Sequence, residues 1–264
     1  MQPGAVCATA HPGKANKPDL LLDSFGVGEY TVTNGGRFMN KAVFQSVETY
    51  MLSCMHDSAH DKEHVYRVLN NALVIAREEQ NVNYDILICA CLLHDIGRPD
   101  QIRDSRVCHA QVGSRKAYAF LTENGFAPEF AGQVRDCIRT HRFRKEDRPQ
   151  TLEAKILFDA DKLDVVGAMG IARTLVYKGT VTQPLYTRCP DGSVSDGNGD
   201  AAPSFFQEYH RKLKKLYERF YTAKGAALAR DRQAAAEAFY ESLYAEVTCL
   251  EQQGSAILEG LLQE

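Results

Sequence analysis

None of the eight cysteines in this 264-residue chain sits in a CxxC pair, so the sequence offers neither a zinc knuckle nor a dithiol redox motif. A disulfide scaffold is equally unexpected, because a chain of this length buries a sizeable core without covalent staples. The opening Met1-Gln-Pro-Gly-Ala-Val-Cys7 has no basic region followed by an apolar one. No apolar run approaches the roughly 20 residues that a spanning helix needs. The expectation is a cytoplasmic protein with reduced thiols and no membrane partner. A net charge of only −3 leaves no basic field, so nucleic acid is not an expected partner. Also missing are an internal repeat, a P-loop and the glycine fingerprint of a dinucleotide fold. The 44% hydrophobic and 25% charged shares are ordinary for one large globular domain or two small ones.

What the chain does have is helical periodicity nearly throughout, and the fold class it predicts is all-α. Residues 1–36, punctuated by Pro3, Gly4, Pro12, Gly13 and Pro18, read as a poorly structured N-terminal arm. From Phe38, Val43, Val47, Met51 and Leu52 mark an amphipathic helix. A second begins at Asp61, an N-cap, and carries His64, Val65, Val68, Leu69, Leu73 and Ile75. The third is the uncharged run Ile86-Leu-Ile-Cys-Ala-Cys-Leu-Leu93, buried on all sides and stopped by Gly97 and Pro99. Pro99 to Val107 reads as a polar loop. Helices follow from His109 to Glu123, from Pro128 to about His141, from Leu152 towards Ala168, and through Tyr177. Residues 179–203, rich in Pro, Gly, Ser, Asp and Asn, form a long loop of the kind that often serves as a lid. Two helices, 204–223 and 226–251, complete a C-terminal extension of residues 204–264 on a core of residues 37–178.

The chemistry starts with His94-Asp95, at the end of the buried run. An imidazole and a carboxylate lose water there, at a cost unless each finds a partner. A divalent metal satisfies both; a helix end where His94 caps carbonyls and Asp95 pairs with Arg98 is the simpler alternative. His64 falls on the third position of its helix, with His60 just before the N-cap. A second acidic group, Asp159-Ala-Asp161-Lys-Leu-Asp164, also follows an apolar stretch. On a helix Asp161 and Asp164 share a face while Asp159 points elsewhere. An exposed acidic turn is the plain reading for Asp159 and Asp164. His109 and His141 stand near helix ends.

The order His64-x-x-Arg-Val, His94-Asp95, Ala160-Asp161-Lys-Leu resembles the HD superfamily of metal-dependent phosphohydrolases, over about residues 38–177. The resemblance implies an HD-domain helical bundle with His64, His94, Asp95 and Asp161 as metal ligands. The segment from Thr222 to Arg232, Thr-x-x-Gly-x-x-x-Ala-x-x-Arg, resembles a small bacterial subgroup. Two His and two Asp suit Mn, Co, Ni, Fe, Zn or Mg and argue against Ca.

The function so implied is hydrolysis of a phosphate ester or phosphoanhydride, of a nucleotide for preference, with Asp95 and Asp161 as the catalytic carboxylates. His109 and His141 are expected to contact substrate phosphate or support the ligands; binding of a second metal is the alternative. Arg98, Lys162 and Arg144 are candidates to neutralise phosphate, and Arg188 on the 179–203 loop to reach the substrate. No acidic residue follows His94-Asp95 directly, and Asp100 stands further on, so the proton donor stays open. The partner expected is a small phosphorylated substrate, and a homodimer is compatible with the sequence. Two other readings remain: an iron-dependent HD-fold oxygenase, which His109 and His141 would serve, and a non-catalytic ligand-binding HD domain.

Overall fold

In the computed structural model, residues 39–55, 62–142 and 147–262 are described; the expected arm 1–36, His60, Asp61 and Arg144 lie outside them. The order is α1 (Lys41–Cys54), α2 (Lys62–Ala76), α3 (Tyr84–Leu93), α4 (Arg98–Arg103), α5 (His109–Glu123), α6 (Pro128–Thr140), α7 (Leu152–Leu163), α8 (Gly167–Thr180), α9 (Phe205–Arg211), a 3-10 turn over Leu213–Glu218, and α10 (Ala223–Leu262). The all-α expectation is borne out. Among the described residues the only extended pairing is an isolated bridge between Arg188 and Val194, and no helix is long and apolar enough to cross a membrane.

The uncharged run becomes α3, the innermost helix. Asn83 starts it by accepting hydrogen bonds from the Asp85 and Ile86 amides, and Ile86, Leu87 and every residue from Cys89 to Leu93 are buried. Helices α1, α2, α5, α6 and α7 pack around it. The apolar stripe of α1 is Val43, Val47 and Met51; Leu52 faces solvent. His94-Asp95 therefore emerges from the centre of the bundle.

Several boundaries differ from the sequence reading, each for a local reason. Arg98–Arg103 is a short helix instead of a loop, because Pro99 sits in its first turn, where a missing N–H costs nothing. Gly97, just before it, lies so close to α5 that a Cβ would be 2.2 Å from the His109 carbonyl oxygen and 2.7 Å from the Gly113 nitrogen. Helix α7 stops at Leu163, short of Ala168. Gly167, at φ +66°, then opens α8 where a Cβ would collide with the Arg232 side chain at 2.7 Å. The expected 204–223 helix breaks at Lys212 and again after Glu218, where the chain turns so that the Tyr221 and Thr222 amides donate to the Asp159 carboxylate.

That carboxylate anchors α10 to α7. Asp159 is fully buried and also accepts from the Thr222 hydroxyl at 2.6 Å. The same hydroxyl oxygen accepts from the Gly225 amide, capping α10. One helical face then carries Gly225, whose missing side chain makes room for Asp159, buried Ala229, and Arg232, which donates to the Leu163 carbonyl. The Thr-x-x-Gly-x-x-x-Ala-x-x-Arg spacing is thus the seam between α10 and the end of α7. The rest of α10 runs out past the core, with Leu250, Ile257, Leu258, Leu261 and Leu262 exposed.

Residues 181–204, between α8 and α9, are bonded to the C-terminal helices. Thr187 and Ser195 donate to Asp200, the Tyr240 hydroxyl donates to the Asp196 carbonyl at 2.6 Å, and Arg188 pairs with Glu251.

The α7–α10 seam predicts opposite signs for one substitution at two places in the same helix. Gly225→Ala puts a methyl 2.7 Å from both Asp159 Oδ2 and Thr222 Oγ1 and should cost about 1–3 kcal/mol. Gly254→Ala meets nothing within 4 Å and should gain up to about 1 kcal/mol from helix propensity. Chemical denaturation of both variants checks this; equal effects would remove the proposed seam.

Candidate metal centre

Six buried or nearly buried side chains meet where α3 ends. His64 comes from α2, His94 and Asp95 from the turn after α3, His109 from the first position of α5, His141 from the residue capping α6, and Asp161 from the last turn of α7. All six are candidates on sequence grounds, and the fold brings them together.

They form two clusters that share one carboxylate. On one side His64 Nε2 lies 3.3 Å from His94 Nε2, 3.4 Å from Asp161 Oδ1 and 3.6 Å from Asp95 Oδ2. His94 Nε2 lies 3.7 Å from the same Asp95 oxygen. On the other side His109 Nε2 lies 3.3 Å from both His141 Nε2 and Asp95 Oδ1, with His141 Nε2 3.7 Å from Asp95 Oδ1. His64, His94 and Asp161 could hold one ion, and Asp95, His109 and His141 another. Asp95 turns one oxygen to each cluster.

The outer ring nitrogens fix which lone pairs point inward. His94 Nδ1 is 2.7 Å from the Cys91 carbonyl oxygen, His141 Nδ1 is 2.6 Å from that of Ile138, and His109 Nδ1 is 2.6 Å from Gln101 Oε1. These oxygens only accept, so each Nδ1 carries the proton and each Nε2 presents a bare lone pair. Burial holds all three rings neutral: it lowers the pKa of His109 to about 2 and of His141 to about 3, and lowers that of His94 as well. Two bare lone pairs 3.3 Å apart beside a carboxylate oxygen repel one another unless a cation lies between them. His64 differs. Burial works against its charge, but hydrogen bonds to Asp161 and Asp164 prevail and raise its pKa to about 9. Burial likewise opposes ionisation of Asp95 and Asp161. It is outweighed by the charges of Arg98 and His64 at Asp95 and of Lys162 and His64 at Asp161, leaving both carboxyls well below the usual range. The donor set, imidazole nitrogens preset as ligands and ionised carboxylates, fits a divalent transition metal.

Of the phosphate-binding candidates, Arg98 Nε donates to Asp95 Oδ1 at 3.0 Å and Lys162 Nζ to Asp161 Oδ2 at 3.0 Å. Both cations stand at the rim of the centre. Arg188 does not; Glu251 and the Gly192 carbonyl take its guanidinium. Asp100 is engaged by Arg103 and Lys116.

Two readings are overturned. Asp159 and Asp164 are not an exposed turn, being 0% and 2% exposed. Asp159 faces α10, as its helical phase requires, while Asp164 lies on the face of Asp161, with Oδ2 2.7 Å from His64 Nδ1. The i, i+3 spacing of Asp161 and Asp164 was the available signal. Nothing in the sequence pointed to Arg173 of α8, which also reaches Asp164.

Residues 61–166 match the HD domain family. The uncharacterised protein YpgQ of Bacillus subtilis (strain 168) is 29% identical over 197 residues, covering 71% of this chain and 85% of YpgQ. The fold is similar to the crystal structure of YpgQ in complex with ADP, with TM-score 0.60, 28% identity, and 77% of this chain and 97% of that one covered. It is also similar to an HD-superfamily hydrolase of Bacillus thuringiensis, with TM-score 0.60, 26% identity, and 78% and 96% covered.

The electrostatics set a pH signature for the metal-free protein. His94, His109 and His141 have folded pKa values below the unfolded value, so stability is full above about pH 6.5 and falls as the pH drops, when only the unfolded chain takes up those protons. His64 acts the other way: its contribution is full below about pH 6.5 and is lost as the pH rises through about 9. Imidazole NMR titration with metal removed should find one ring, His64, titrating near pH 9 and the other three neutral throughout the physiological range. Ordinary titration of all four near pH 6.5 would contradict the burial and pairing described.

Proposed function

Because residues 61–166 match the HD domain family and the chain is similar to YpgQ and to an HD-superfamily hydrolase of Bacillus thuringiensis, we propose that it is a metal-dependent phosphohydrolase. Its reaction is cleavage of a phosphate ester or phosphoanhydride of a nucleotide. The observation that carries this reading is the position of Asp95, one oxygen facing His64 and His94 and the other facing His109 and His141. A pair of ions on either side of a shared carboxylate is the arrangement that clamps both oxygens of a phosphoryl displacement. The ADP bound by YpgQ supports a nucleotide with a diphosphate or longer chain.

In this assignment His64, His94, Asp95 and Asp161 would hold one divalent ion, and Asp95, His109 and His141 a second, drawn from Mn, Co, Ni, Fe, Zn or Mg. When bound, such ions polarise a phosphoryl oxygen and bring the pKa of coordinated water from 15.7 towards about 7. The protein's own groups do the rest. Asp161, ionised and next to His64, orients the attacking water. Arg98 and Lys162 exchange part of their bonding from Asp95 and Asp161 to the substrate's phosphates. Asp100, tied to Arg103 and Lys116, is not free to protonate the leaving group, so a nucleotide phosphate that leaves as an anion without prior protonation suits the site. In the domain terms of the sequence, residues 37–178 supply the centre, with 179–203 and 204–264 laid beside it.

Turnover of a panel of nucleotides and other phosphorylated metabolites, with Mn, Co, Ni and Mg in turn, tests the proposal. Hydrolysis should depend on metal and vanish with a chelator. Asp95→Ala, which removes a ligand from both clusters, should lower kcat by at least about a thousandfold and strip bound metal. A folded, metal-loaded protein that turns over none of these would defeat the hydrolase reading; oxygen consumption by an iron-loaded sample would favour the oxygenase.

A further inference from the structure

Asp164 and Arg173 compete for the outer nitrogen of His64. Asp164, 2% exposed, places Oδ2 2.7 Å from His64 Nδ1. Its other partners are guanidiniums: Arg67 Nε donates to Oδ1 at 2.7 Å and an Arg67 terminal nitrogen to Oδ2 at 3.1 Å, while Arg173 donates to Oδ2. The donating Arg173 nitrogen is also only 2.8 Å from His64 Nδ1. At that separation two outcomes are possible for a neutral ring. If Nδ1 bears the proton, it donates to Asp164, and Nε2 offers its lone pair to the centre. If Nδ1 is bare, it accepts from Arg173, and the proton sits on Nε2, where it blocks a metal.

We propose that Asp164 is a positioning residue that decides this competition, keeping the proton of His64 on Nδ1 against the adjacent Arg173 guanidinium and thereby making Nε2 a metal ligand. The inference rests on the metal reading above and adds to it a residue that touches neither ion nor substrate. His94 and His141 need no such arbiter, because backbone carbonyls fix their tautomers. His64 alone of the four sits with a carboxylate and a guanidinium at the same nitrogen. Arg67, from one turn further along α2, keeps the carboxylate charged and in place. A distinctive consequence follows: loss of Asp164 does more than loosen His64, since it hands Nδ1 to Arg173. Removing Arg173 as well should therefore restore part of what was lost.

Cobalt(II) titration of the metal-free full-length protein, read by visible absorption, tests this without any substrate, with circular dichroism as the control for folding. Asp164→Ala should weaken cobalt binding by about 10- to 100-fold, the usual cost of removing the partner of a ligand histidine. Asp164→Asn should fall between wild type and Asp164→Ala, because its amide oxygen can take the Oδ2 position while its NH2 group then faces the Arg67 Nε donor at the Oδ1 position. Asp164→Ala with Arg173→Met should regain most of the loss, and Asp164→Ala should cost nothing further in a His64→Ala background. Arg173→Met alone should bind as wild type does, which keeps the test alive if Asp164→Ala does not fold. Wild-type affinity in Asp164→Ala, no recovery in the double variant, or an Arg173→Met loss as large as that of Asp164→Ala overturns the role. A wild-type protein that takes up no cobalt overturns the metal reading beneath it.

Discussion

The fold is arranged around a group of buried imidazole nitrogens that lack a donor. His94, His109 and His141 each direct an unprotonated Nε2 into the interior, with Asp95 and Asp161 ionised beside them. Buried lone pairs and carboxylates left to face one another are among the costlier arrangements a protein can contain. Only positive charge relieves it. In the metal-free chain the raised pKa of His64 supplies one proton towards that need; in the second cluster both rings are neutral, and the positive charge is that of Arg98 at the rim, on the Asp95 oxygen the two rings face. The geometry makes sense as a container for divalent ions.

The helices can be understood as devices for holding that container still. Helix α3 is apolar on every side, so its end lies deep in the bundle, and the chain delivers His94-Asp95 there before Gly97 turns it tightly against α5. Helix α7 and the residue that caps it use three aspartates for three tasks set by helical phase. Asp161 faces the centre, Asp164 one turn later supports His64 from behind, and Asp159 on another face anchors the start of α10. A single helix thus ties the ligands to the C-terminal extension. The seam made by Thr222, Gly225, Ala229 and Arg232 also helps fix where α7 ends.

How much of this the amino-acid sequence disclosed depended on whether the cause was local. The buried run, the helical periods and the ordered ligand pattern are local, and they led to an all-α fold and to the six residues that meet at the centre. The unequal fates of Asp159 and Asp164 were legible only as a difference in helical phase; their burial depended on α10 and α2, both distant in the chain, packing against the end of α7. The same holds for Arg173, which carries no motif and matters only because α8 folds back onto His64. Pro99 misled because proline ends one helix and begins another with equal ease. The end of the expected 204–223 helix, at Tyr221 and Thr222, is held by a distant carboxylate, to which no propensity scale refers.

Anomalous diffraction from crystals soaked in manganese(II) tests the central claim most directly. The account predicts two peaks, one on each side of Asp95, the first within reach of His64, His94 and Asp161 and the second within reach of His109 and His141, separated by about 3.5–4 Å as in two-metal hydrolytic sites. A fully occupied lattice with no peak near Asp95, in protein whose six side chains are placed as described, would contradict it.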